Sequence, residues 1–237
     1  MEKLKNNEKN AIEEETFKKI ICDFKVPIIY QIDALKNFLS TSSSKINKEE
    51  KELIELTLYS CKIIKNSSDI FLMAYKNEFK NKYLEYEKFD FVLLLKEIIQ
   101  DYSILFQYHN LELELNIPEN LYLYADKTKI KKILENLILN NINIAFKNTK
   151  IIIEITDKIT QMEFKIKTKS KTIEQNIIKE IFLKNKKINS QFQKPSMGLG
   201  MYVLYEVIKI HFGKAFVKSY SNNTNVFGFS LPIKNWK

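Results

Sequence analysis

Between Ala11 and Leu39 the large apolar side chains fall at Phe17, Ile21, Phe24, Ile28, Leu35 and Phe38. Steps of four, three, four, seven and three form a heptad seam, which predicts a helix lying against other helices. The polar run Thr41-Ser-Ser-Ser-Lys45 interrupts it. Asn47 suits the N-cap of a second helix, with Glu49 and Glu50 in a first turn where negative charge is favoured. That helix runs through Leu53, Leu56, Ile63, Ile64, Ile70, Phe71 and Ala74 to about Lys80. One hairpin of this size cannot enclose a core, whereas two copies paired as a four-helix bundle can. A homodimer is therefore expected, held by Phe17, Ile21, Phe24, Ile28 and Leu35.

After Lys80 the periodicity changes. Phe89–Phe106 reads as a helix, Leu111–Leu115 as a strand and Lys127–Phe146 as a strong helix. Lys150–Thr156 and Met162–Thr168 alternate as an antiparallel pair. Glu174–Lys184 and Met201–His211 read as helices, and Lys214–Tyr220 and Asn225–Leu231 as closing strands. This order makes the chain α+β: an antiparallel helical hairpin over residues 1–82, then a mixed sheet with helices on one face over 83–237. The boundary falls between Lys80 and Glu87.

Composition narrows the function classes. The net charge of +9 could point to nucleic acid, yet every basic residue is Lys, the lysines alternate with Asp and Glu, and Arg is absent. No nucleic-acid partner is expected. Cys22 and Cys61 make neither a disulfide framework nor a metal-spacing motif. No apolar stretch approaches the roughly 20 residues that span a bilayer, and the charged start MEKLKNNEKNAIEEE is unlike a signal peptide. The expectation is a cytoplasmic protein without membrane insertion.

Three motifs carry a resemblance. Asp126-Lys-Thr-Lys-Ile-Lys-Lys-Ile-Leu-Glu-Asn-Leu-Ile-Leu-Asn140 places Asn136 and Asn140 four apart on one helical face, with amide oxygens suited to Mg²⁺ or its waters. Gly198-Leu199-Gly200 stands just before a helix expected from Met201, where backbone N–H groups can approach phosphate. His211-Phe-Gly213 is followed by strands closing in Phe229-Ser-Leu-Pro232. Together with the order of elements, these motifs resemble the two-component sensor histidine kinases, from Phe17 to Ile233. The resemblance implies a dimerising hairpin, a histidine-kinase-type ATP-binding α/β sandwich, nucleotide contacts from Asn136, Asn140, Gly198 and Gly200, and Mg²⁺ on Asn140.

Two departures matter. In Cys22-Asp23-Phe24-Lys25-Val26-Pro27, Cys22 stands where the family carries its phosphorylated His, and the two histidines, His109 and His211, lie in the second domain. The resemblance therefore implies no autokinase activity, and a phosphotransferase role fails for the same reason. The family's adenine-reading Asp and its two following Gly correspond to Thr168, Ser170 and Thr172. A Thr hydroxyl lacks the charge-assisted strength of a carboxylate, and the added side chains crowd the backbone, so ATP or ADP binding is expected to be weak or absent.

What the resemblance leaves is a phosphatase acting on the aspartyl phosphate of a response regulator receiver domain, which brings its own Mg²⁺. Acceptor-less sensor phosphatases, a butyrate-modulated type among them, are the kind it implies. The alternative is a non-catalytic scaffold that sequesters a regulator or kinase. Asp23, Lys25 and Gln31 are the polar candidates for orienting the attacking water. Cys22, Val26 and Ile29, related by helical steps of four and seven, are the candidate docking surface, one position off the dimer seam.

Overall fold

The computed structural model describes residues 2–42, 46–75, 84–184 and 197–233; the side chains of residues 2–14, 17, 18, 197 and 198 lie outside that description. The chain divides into two compact units, Met1–Glu78 and Phe79–Lys237.

The first unit is a hairpin of α1 (Glu2–Ser42) and α2 (Lys48–Tyr75). The first helix is longer than its apolar pattern predicts and carries Pro27 in its interior. Lacking an N–H, Pro27 leaves the carbonyl of Asp23 without its helical donor. Asn47 starts α2 as expected and completes a reciprocal capping box: its Oδ1 accepts from Glu50 N at 2.9 Å, and Glu50 Oε2 accepts from Asn47 N at 2.9 Å.

The expected dimer seam divides in two. Ile28 and Leu35, with Leu39, pack on a small cluster of Ile32, Leu58 and Cys61 inside the hairpin itself. Phe24 instead points outward, 66% exposed, as do Ile20 and Tyr30. An antiparallel partner helix needs its own buried stripe, and α1 supplies it from part of the heptad pattern. Phe17 lies outside the described side chains.

In the second unit, β2 (Glu112–Asn116), β4 (Lys150–Lys158), β5 (Gln161–Lys169), β6 (Lys214–Tyr220) and β7 (Thr224–Pro232) form a sheet of order β2-β4-β5-β7-β6. Only β2–β4 is parallel among its pairs. Alternation in β4 and β5 sends Ile151, Ile153, Met162, Phe164 and Ile166 into the core. There Phe91 stands edge-on to Phe164 and Phe229, whose rings stack at 5.1 Å. The covering helices are α3 (Phe91–Asp101), α5 (Lys127–Ile144) and α7 (Met197–Ile210), with short α4 (Ser103–Tyr108) and α6 (Gln175–Glu180) at connections.

Three sequence expectations are corrected. The single helix expected over Phe89–Phe106 is β1 (Tyr86–Asp90) followed by α3 and α4. Asp90 caps α3 by accepting from Val92 N and Leu93 N, and the backbone turns at Tyr102. Strand β3 (Tyr122–Asp126) was not expected; it pairs antiparallel with β1, burying Leu123 and Ala125. Helix α7 begins at Met197, not Met201, so Gly198 and Gly200 lie within its first turn.

His211 ties these parts together. Its Nε2 accepts from Asp126 N at 3.0 Å, which requires the proton on Nδ1, and Nδ1 donates to Val207 O at 2.7 Å. Burial pushes the imidazole below its ordinary value, although the Val207 hydrogen bond and the Asp126 charge oppose this. The folded state thus holds His211 neutral, and below about pH 6.5 the unfolded chain binds the extra proton. Stability gained from a neutral His211 is complete above that pH and is lost as the pH falls through it. Urea unfolding of the full chain should show lower stability at pH 5.5 than at 7.5, and His211→Ala should flatten that difference. An equal loss in both proteins would place the pH sensitivity elsewhere.

Candidate functional site

In the hairpin, Cys22 and Ile29 are half-buried, Asp23 is exposed and Val26 is 51% exposed. All lie on α1 around Pro27. The three polar candidates differ in what they touch. Lys25 Nζ forms an ion pair with Asp69 of α2, whose carboxylate is 4% exposed and also receives Lys65 Nζ at 3.1 Å. Gln31 Oε1 accepts a weak hydrogen bond from Cys61 Sγ at 3.6 Å. Lys25 is therefore tied to the α1–α2 interface, while Asp23 and Gln31 are both exposed, Gln31 with a weak bond to Cys61. The Lys25–Asp69 pair was not foreseen. Its signal was a lone acid in the apolar run Ser68-Asp-Ile-Phe-Leu, a position that demands a cationic partner.

The second unit holds a different constellation on α5. Asp126 caps the helix: its carboxylate accepts from Lys129 N at 3.0 Å and Lys129 Nζ at 2.8 Å. Burial acts to raise the carboxyl, but these bonds and the Lys129 charge outweigh it and hold the group below its usual range. Isoleucines and leucines at 130, 133, 134 and 137 face the core. Asn136, Asn140 and Asn141 are buried too. Buried amides must find partners. Asn136 Nδ2 and Asn140 Nδ2 have none among the described residues. Their O and N ends exchange by a ring-like flip of the amide, so the pair can present donors to an anion or oxygens to a hydrated cation.

The first turn of α7 abuts this pair. A Cβ at Gly200 would overlap the amide of Asn136, so glycine there is what lets the two helices close. The N–H groups of a helix's first turn lack intrahelical partners, and Gly198 and Gly200 both lie in that turn. Residues expected apart as a box and a loop are thus brought together.

The remaining positions behave otherwise. Thr168 Oγ1 donates to Asn141 Oδ1 at 2.6 Å, and Asn141 Nδ2 donates to Leu137 O at 2.8 Å. Asn225 Nδ2 donates to Ser170 Oγ at 2.7 Å and to Lys171 O at 2.9 Å. Thr172 Oγ1 bonds Asn223 Oδ1 at 3.0 Å. Asn141 and Asn225 were not singled out from the sequence, where Asn is too common for either to stand out.

Residues 125–235 match the family described as histidine kinase-, DNA gyrase B-, and HSP90-like ATPase. Over its second unit the chain is similar to sensor histidine kinases. Similar to it is the adaptive-response sensory kinase SasA of Rippkaea orientalis, 26% identical over 143 residues, or 60% of this chain and 37% of that protein. The chain spans 37% to 49% of the length of such sensory kinases. Among solved structures, the nucleotide-free catalytic domain of histidine kinase ThkA is 26% identical with a TM-score of 0.57, covering 63% of this chain and 96% of that one. ThkA in complex with response regulator protein TrrA, at 20% identity and a TM-score of 0.59, covers 98% of this chain and 66% of that one and extends the fold likeness into the helical region. The fold is thus a helical region followed by an ATPase-like α/β sandwich. Among the described residues no helix is long and apolar enough to cross a membrane, and no cluster of three acidic, His or Cys ligands could hold a metal.

An ATP molecule, implied by the family, meets a site that fits it in part. The orphaned amides of Asn136 and Asn140 beside the first turn of α7 suit phosphate and a hydrated Mg²⁺. The Thr168 and Ser170 end does not fit, because its polar atoms are already bonded to Asn141 and Asn225. Thr168→Val should leave Asn141 Oδ1 buried without a donor and cost roughly 1–3 kcal/mol in urea unfolding. Thr168→Val with Asn141→Leu should recover most of that loss; no recovery would show that Asn141 does not depend on Thr168.

Proposed function

We propose that this protein is a two-component signalling protein without autokinase activity, a cytoplasmic phosphatase acting on the aspartyl phosphate of a response regulator receiver domain. The observation that carries the reading is the surface of α1 around Cys22. A thiol stands at the position where the family resemblance calls for a phosphorylated His, beside exposed Asp23 and Val26. Loss of the acceptor removes autokinase chemistry and leaves the docking face intact.

The receiver supplies its own acidic pocket and Mg²⁺, so the hairpin needs only to position water. Asp23 faces solvent and would accept a hydrogen bond from the attacking water, aligning it with phosphorus. Lys25 holds the hairpin in shape through Asp69, and exposed Gln31 is the second candidate for orienting water. Val26, with Ile29 beside it, supplies apolar contact for a receiver helix. Phe24, outward on α1, is the anchor of a homodimeric four-helix bundle in this reading, because an exposed aromatic one turn after exposed Ile20 forms an apolar stripe that water disfavours. Ile28 and Leu35 contribute to the hairpin's own interior.

The direct test mixes the purified chain, at substoichiometric amounts, with a regulator phosphorylated by labelled acetyl phosphate. Multiple-turnover loss of label is expected, slowed by Asp23→Ala with binding retained. Stoichiometric binding without turnover would instead favour a sequestering scaffold. No label should appear on the protein itself from ATP. Ile29→Lys should weaken regulator binding by about 1–3 kcal/mol while circular dichroism is unchanged. Phe24→Glu should give monomers by light scattering, and a persistent dimer would move the interface off this stripe.

A further inference from the structure

We infer that the nucleotide site of the second unit is sealed at its base end by the protein's own side chains, so that any ligand it holds is recognised by its phosphate chain and not by adenine. The inference does not depend on the phosphatase reading.

Four buried polar residues make the seal: Thr168 on β5, Asn141 on α5, Ser170 just beyond β5 and Asn225 on β7. They bond in two ties, Thr168–Asn141 at 2.6 Å and Asn225–Ser170 at 2.7 Å. Each tie has a backbone anchor as well, from Asn141 to Leu137 O and from Asn225 to Lys171 O. Ser170 N also donates to Asn223 O at 2.9 Å, closing the turn beneath. A base edge reaching Thr168 would have to break its short bond to Asn141 and leave that amide oxygen buried without a donor.

At Asn136 and at Asn140, the residue next to Asn141 on the same helix, the state of the side chains is opposite. Asn136 and Asn140 are as buried as Asn141, yet their Nδ2 groups have no partner among the described residues. Thr168 Oγ1, Asn141 and Ser170 Oγ are thus bonded internally, with Asn225 Oδ1 the buried acceptor of the two ties left without a partner among the described residues, whereas Asn136 and Asn140 hold unpartnered donors. Buried amides beside the unpaired N–H groups of a helix's first turn favour an acceptor-rich anion, and a phosphate chain is such a group. Nothing in that arrangement distinguishes one nucleobase from another.

Isothermal titration of the full chain with Mg²⁺ complexes of ATP, GTP and inorganic tripolyphosphate decides the matter. The three affinities should agree within about threefold; a larger preference for ATP over both, or no detectable binding of tripolyphosphate, overturns the inference. Asn141→Ala removes the partner that holds Thr168 and should raise ATP affinity relative to tripolyphosphate by at least about tenfold. An unchanged ratio would show that this bond is not the seal. Should that variant fail to fold, Ser170→Gly, which cuts the other tie, makes the same comparison, and the wild-type ratio stands as a test by itself.

Discussion

Burying an amide in a protein core costs about 1–3 kcal/mol for each group left without a hydrogen-bond partner, and α5 buries three of them. That requirement organises the second unit. One side of α5 gives Ile130, Ile133, Leu134 and Leu137 to the core against the sheet. Asn136 and Asn140 lie along the edge of that face and Asn141 falls on it one turn after Leu137, and all three must be answered by β5, by the start of α7 or by a ligand. Thr168 answers Asn141. Gly200 gives up its side chain so that α7 can close over Asn136. The sheet order, with β5 at its centre between β4 and β7, is what places Thr168 and Ser170 against α5 and Asn225 at once.

A second buried polar contact governs the hairpin. Asp69 is enclosed on α2 and is compensated by Lys25 and Lys65. Removing charge from such a pair leaves its partner buried and uncompensated, which costs more than the pair contributes when intact. Lys25 is therefore constrained by structure, three residues from Cys22, where a sequence reading treats it as available for chemistry. The same logic separates the apolar residues of α1. Those on the face toward α2 join Ile32 and Leu58, and those left over, Phe24 first, need another surface.

His211 shows how a residue without a catalytic assignment can carry architecture. It joins the last turn of α7 to the junction of β3 and α5, with both ring nitrogens engaged. The strand it reaches, β3, belongs to a two-stranded ribbon that the sequence pattern did not disclose. Tyr86 of β1 stacks on Tyr124 of β3 and tilts against the His211 ring, so the ribbon and the histidine support each other.

Periodicity alone determined the helical hairpin, the α+β order, α5 with its two faces, and the four long strands of the sheet, because those elements repeat over enough residues for burial to leave a pattern. The capping box at Asn47 and Glu50 was equally legible, since both partners lie within one turn. Short or interrupted elements were not. Strands β1 and β3 have five residues each and pair across a separation that local sequence does not report. Residues such as Asn136, Gly198 and Thr168 could be named from spacing and resemblance, but spacing says nothing of which polar atoms find partners. Only the tertiary structure decided that Thr168 bonds to Asn141 while Asn136 and Asn140 keep unpaired amides, and that Lys25 answers Asp69 while Asp23 meets solvent. Whether a hydrogen bond or ion pair forms between distant segments turns on differences in distance of about an ångström, and the fold sets those distances after the sequence has chosen the elements.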